Sequence, residues 1–245
     1  MQKLKYLVLV CFLAMACKTE TPLTAQDIID KTLEVSGGDT YLNAEIDFDF
    51  RDIHYRSKRD HGKFHYERVI KDSVGTIKDV LNNDGFQRFV NNELAEIPDS
   101  MAVKYTSSVN SVHYFALLPF GLNDVAVNKS SLGEVSVNDK LYYKIKVWFS
   151  QEGGGEDFED VFIYWISKDT FKADYIAYSY IEDDGVGIRF REAYNERMVN
   201  GLRFVDYNNY KSEEVTMDLL GLDKAYESGS LLLLSKIELE NIEVK

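Results

Sequence analysis

Apolar residues recur along this chain at two spacings, and the change between them organises it. Ala25, Ile28, Ile29, Thr32 and Leu33 fall at helical intervals. Thr24 and Asp27 open that run as a capping box and Gly37-Gly38 follows it, which predicts an amphipathic helix over 24–36. From residue 44 the period shortens to two. Ile46, Phe48 and Phe50 alternate with Glu45, Asp47, Asp49 and Arg51, and Phe64 and Tyr66 alternate with Lys63, His65 and Glu67. Both runs read as half-buried strands. Further strands are expected near 76–82, 86–91 and 94–97, with turn chemistry at Asn82-Asn83-Asp84-Gly85 and Asn91-Asn92.

The pattern breaks at 107–118. Val109, Val112, His113, Ala116 and Leu117 return to helical spacing, and Pro119 ends them. With Phe115, Leu118, Phe120 and Leu122 this short helix is apolar on more than one side, so it must be enclosed or must cover something apolar. Strands then resume. Leu141, Tyr143, Ile145, Val147 and Phe149 are placed inward, Val161 to Ile166 is apolar on both faces, 173–181 and 186–194 flank an acidic turn, and 202–211 and 231–244 complete the set. Many strands, few helices and 3 prolines predict a mainly β (α+β) fold built on one antiparallel sheet rather than βαβ units.

The first residues have another character. Lys3 and Lys5 precede an uncharged apolar run, Leu7 to Ala16, that is too short to span a bilayer and stops at Cys17. This is the anatomy of a signal peptide over 1–16. Ala14-Met15-Ala16-Cys17 resembles the lipobox of bacterial lipoproteins, with its usual leucine displaced to Leu13. The resemblance implies lipidation of Cys17, a tether over 17–23 and one domain over 24–245. Cys11 leaves with the leader, so the exported chain has no pair of cysteines to form an internal disulfide. Several acyl chains on one cysteine hold a membrane stably where a single chain does not. Lys18 rather than Asp follows the cysteine, which favours the outer membrane.

Charge narrows the partners. The net charge is −13 and becomes more negative once the leader's two lysines are gone. That argues against nucleic acid and against adsorption on anionic lipid. Catalytic signatures are sparse: there is no G-x-S-x-G, phosphate loop, H-E-x-x-H or dinucleotide fingerprint. His61 and His65 are four apart but lie in turn and strand, and His54 and His113 are not spaced to complete a metal set. The acids at 152–160 and at Asp183-Asp184 lack the order of a calcium loop. No catalytic residue, metal ligand or cofactor is assigned.

What remains is aromatic and aliphatic wealth, 16 Tyr and 14 Phe. It serves either as an ordinary core or as the lining of a sheet curved around a cavity that 107–120 lids, a lining suited to acyl chains. The cavity candidates are Phe48, Phe50, Phe64, Tyr66, Phe115, Leu118, Phe120, Tyr143, Ile145 and Val147, chosen by alternation. The stretch Leu132 to Val147, the strand Val161 to Ser167 with its Lys168-Asp169 turn, and the runs Arg189 to Asn195 and Gly201 to Tyr207 together resemble the lipoprotein-carrier and lipoprotein-sorting superfamily of Gram-negative envelopes (LolA/LolB-like), or an envelope lipoprotein group near it. That resemblance implies an unclosed antiparallel half-barrel with helices over its mouth and a cavity for lipid or lipoprotein acyl groups. The expectation is therefore a non-enzymatic lipoprotein of the cell envelope that binds a hydrophobic ligand. A hydrolase on the same scaffold and a structural subunit without a cavity are the alternatives.

Overall fold

A computed structural model describes residues 22–73, 75–153, 158–182, 185–213 and 218–245. The leader, Cys17 and part of the acidic loops (154–157 and 183–184) lie outside the described residues.

Helix α1 (Ala25–Ser36) starts as its sequence predicts. The Thr24 hydroxyl accepts from the Asp27 amide at 3.1 Å, and the Asp27 carboxylate accepts from the Thr24 amide at 2.8 Å. Gly37 ends it at φ +132, and a Cβ there would sit 2.6 Å from Leu202, so only glycine lets the helix end meet that turn.

Strands β1 (Glu45–Phe50), β2 (Ile53–Asp60), β3 (Lys63–Asp72), β4 (Gly75–Asn82), β5 (Gly85–Val90) and β6 (Glu93–Leu94) form an antiparallel meander. Helix α2 (Asp99–Leu117) follows, then β7 (Val127–Val137), β8 (Lys140–Phe149), β9 (Val161–Ser167), β10 (Ala173–Glu182), β11 (Gly185–Val199) and β12 (Leu202–Ser212). A short helix α3 (Leu222–Glu227) and strands β13 (Leu231–Ile237) and β14 (Glu240–Val244) complete the order. Tight turns carry Asn and Asp at positive φ, as at Asn138 and Asp139 between β7 and β8, where their short polar side chains tolerate the left-handed region.

The mainly β, antiparallel, unclosed architecture with one helix before it and one across it is as predicted. The strands are divided, however, between two seven-stranded sheets: sheet A runs β14-β1-β2-β3-β4-β5-β6, and sheet B runs β13-β12-β11-β10-β9-β8-β7. The stretch predicted as one strand over 231–244 is two, and the chain crosses from sheet B to sheet A at 238–239. The helix expected at 107–118 begins at Asp99, and the strand expected at 94–97 is reduced to Glu93–Leu94. Strands β2 and β7 and helix α3 were not predicted.

Sheet B is buried on both faces. One face packs Ile145, Val147, Phe162, Tyr164, Ile176 and Val205 against Ile28 and Ile29 of α1 and against Leu118 and Leu122. The other packs Tyr142, Ile163, Trp165 and Phe190 under Leu222 and Ala225 of α3. A third cluster joins the sheets: Ile46, Phe48 and Tyr55 of sheet A meet Leu202 and Phe204 of sheet B, with Leu117, Tyr41 and Leu239 between them.

Candidate functional site

Helix α2 has two working faces. One is clamped to sheet A by a cross-strand row, in which Phe48, Tyr55, Arg68, Asp79 and Arg88 are successive register partners across β1 to β5. Asp79 is fully buried and receives Arg68 at 2.6 Å and Arg88 at 2.6 Å. Arg68 also donates to the Ser108 hydroxyl of α2 at 2.6 Å, and the Arg88 guanidinium lies 3.5 Å from the ring centre of Tyr105 on α2. One turn further on, His113 is buried against Phe48, Tyr55 and Tyr66, its Nε2 3.1 Å from the Glu67 carbonyl.

The other face roofs a cavity of about 590 Å³ over sheet B. Its roof is Ser107, Ser111, Tyr114 and Phe115, and its floor is Phe162, Tyr178, Val205 and Tyr207. Phe50 and Leu239 close the side toward sheet A, while Phe149, Asp160, Tyr180 and Ile237 bound the rest. The wall is predominantly apolar and aromatic, within the size range of small-molecule sites. Phe115 tilts on Tyr178 with ring centres 4.9 Å apart, and Phe162 stacks on Tyr178 at 5.4 Å. Burial raises the phenols of Tyr114, Tyr178 and Tyr207, so all three stay neutral at ordinary pH.

One cation enters this wall. Arg191 of β11 is 7% exposed, its Nη2 donates to the Tyr178 hydroxyl at 2.7 Å, and its guanidinium lies 3.7 Å from the Phe115 ring centre. Burial lowers its proton affinity, and the neighbouring Tyr178 and Tyr207 offset part of that effect.

The predicted cavity residues are dispersed. Phe50 and Phe115 line the cavity. Ile145 and Val147 share its face of sheet B but pack in the cluster that α1 covers, as does Leu118. Phe48 lies in the cluster between the sheets, and Phe120 packs beside it on Tyr41, ring centres 5.1 Å apart. Phe64 and Tyr66 sit together on β3, the central strand of sheet A, where Tyr66 meets Arg59. Tyr143 borders a second, more polar depression of about 520 Å³ with Lys31, Ser131, Glu134 and Phe171. The floor residues Phe162, Tyr178, Val205 and Tyr207 were missed. Their strands are buried at successive positions, so alternation does not single these residues out.

Among the described residues no three His, Cys, Asp or Glu side chains gather into a metal-holding group. His54 pairs with Asp49 at 2.8 Å, His61 with Asp60 and His65 with Glu67, each on its own strand or turn neighbourhood. No described helix is long and apolar enough to cross a membrane.

Known structures place this architecture. The chain is similar to the crystal structure of a DUF1329 family protein from Desulfovibrio piger, at 12% identity over 89% of this chain and 92% of the other, with a TM-score of 0.51. At that identity the likeness is one of fold. It is also similar to a LolA superfamily protein from Nitrosomonas europaea, at 10% identity over 91% of this chain and 92% of the other, with a TM-score of 0.48. No curated protein matches the sequence. The model of the family of unknown function DUF6503 matches residues 3–239, and the chain belongs to that family.

Proposed function

We propose that this protein binds a hydrophobic ligand, a lipid or the acyl chains of a lipoprotein, in the cavity between α2 and sheet B, and that it holds the ligand without transforming it. The observation that carries the reading is the cavity itself: about 590 Å³ walled mainly by aromatic and aliphatic side chains. Apolar concavities of this size with few polar groups suit acyl chains.

The proposal includes an address. Lipids on Cys17 fix the domain to the outer membrane on its periplasmic side, so that ligand is received, held or passed on at the membrane. Incorporation of labelled palmitate into the expressed chain, abolished by Cys17→Ala, tests that part.

For the binding itself, the chain secreted without its anchoring cysteine is extracted with organic solvent and the extract weighed by mass spectrometry. Near-stoichiometric lipid is expected from the wild type and much less from Val205→Trp, which fills the cavity floor at a cost of about 1–3 kcal/mol of stability. A wild-type protein that emerges empty and stays empty after exposure to lipid vesicles overturns the reading.

A further inference from the structure

The charged groups within this fold follow one rule with one exception. Four cationic side chains are buried among the described residues: Arg68, Lys144, Arg191 and Arg203. Arg68 meets Asp79 at 2.6 Å, Lys144 meets Asp223 at 3.2 Å, and Arg203 meets Glu196 at 2.7 Å. Among the described residues Arg191 has no carboxylate partner. Its Nη2 is held by the Tyr178 hydroxyl, while Nε and Nη1 are buried without a hydrogen-bond partner. A guanidinium taken from water without a counter-charge is destabilising, and none of the described acidic residues pairs with this one.

From this we infer that the cavity takes an amphiphile with an anionic head, a carboxylate or a phosphate on an apolar tail, and that Arg191 is the residue that receives the head. The inference rests on the cavity being a lipid site and narrows it, because triacylated cysteine carries no such charge on its lipid.

The chemistry fits at each end. Guanidinium presents fixed donors that match carboxylate and phosphate oxygens, and such charge-assisted bonds strengthen away from water. Arg189, two residues along β11, lies on the same side of the strand with its guanidinium 5.2 Å from the Tyr180 ring centre, so a second cation borders the site. Phe115 lies across the face of the guanidinium, and Arg191 is itself part of the cavity lining. Tyr178, Phe162 and Val205 then flank the tail.

The test uses the mature lipidated protein in phosphatidylcholine nanodiscs, with three photoreactive probes of one chain length: a fatty acid, an alkyl phosphate and a fatty alcohol. Peptides spanning 107–120 and 178–207 are scored for crosslinks. Labelling by one or both anionic probes at least tenfold above the alcohol is expected, and the preferred probe identifies the head as carboxylate or phosphate. Arg191→Gln removes the preference and Arg191→Lys restores part of it, with circular dichroism showing that each variant is folded. Equal labelling by all three probes, or an anion preference that survives in folded Arg191→Gln, overturns the assignment of Arg191 while leaving the lipid cavity intact. No cavity labelling by any probe removes the underlying reading as well.

Discussion

His113 shows how one side chain can couple the roof to acidity. It is enclosed by three aromatic rings, its Nδ1 has no partner, and burial pushes its pKa down to about 3, with Arg59 and Arg68 adding to the effect and the Glu67 carbonyl opposing it. The folded protein therefore binds this proton less readily than the unfolded chain does. The sign follows: the contribution to stability is complete above about pH 6.5 and is lost as pH falls toward 3. By pH 5 the loss amounts to about 2 kcal/mol. Urea midpoints at pH 7.5 and 5.0 check this, since His113→Phe should fall clearly less than wild type over the interval, and equal falls would exclude His113 as the cause. The two phenylalanines flanking the helix end separate in a similar way. Phe120→Ala, in a packed cluster on Tyr41, should cost about 2–4 kcal/mol in denaturant melts and leave lipid retention unchanged. Phe115→Ala, in the cavity roof, should reverse that order, with small loss of stability and large loss of bound lipid.

At the scale of elements, α2 is held to sheet A through charge and roofs sheet B with rings. Asp79 lies at the centre of the ionic contact, and removing it leaves two guanidinium groups without their acid. Asp79→Ala is accordingly expected to destabilise by about 3–5 kcal/mol and to speed amide hydrogen exchange across 99–117 before it does so in β9 or β10. Exchange that rises uniformly through the chain would show that α2 is not separately anchored. This arrangement was only half legible in the sequence. Helix α1 and strands β1 and β8 announced themselves, because a capping box and clean alternation are local signals. The first turns of α2 did not, because Met101, Ala102 and Tyr105 make too weak a stripe. In β2 charged residues flank Tyr55 and Ser57, so the strand showed one large inward residue and no alternating run. Arg191 was hidden for the opposite reason. Beside Phe190 it reads as the solvent side of a strand, and only α3 on one face and α2 on the other reveal that both sides are enclosed.

For the molecule as a whole, the cluster of Ile46, Phe48, Leu202 and Phe204 makes the two sheets share one apolar interior. Calorimetry of residues 22–245 should then show one cooperative transition, whereas two resolved transitions would mean that the sheets fold as separate units. The path of the chain adds a constraint of timing. Strand β1 has β14 as its outer neighbour, and the Asp49 carboxylate accepts from Asn241 at 2.7 Å across 192 positions of sequence. Contacts so distant along the chain slow folding. A polypeptide made from its amino end can pair β1 with β2 early, but the outer edge of β1 stays open until β14 has followed. If the chain is exported as proposed, sheet A is completed only after β14 has emerged, which would leave the precursor incompletely folded until then.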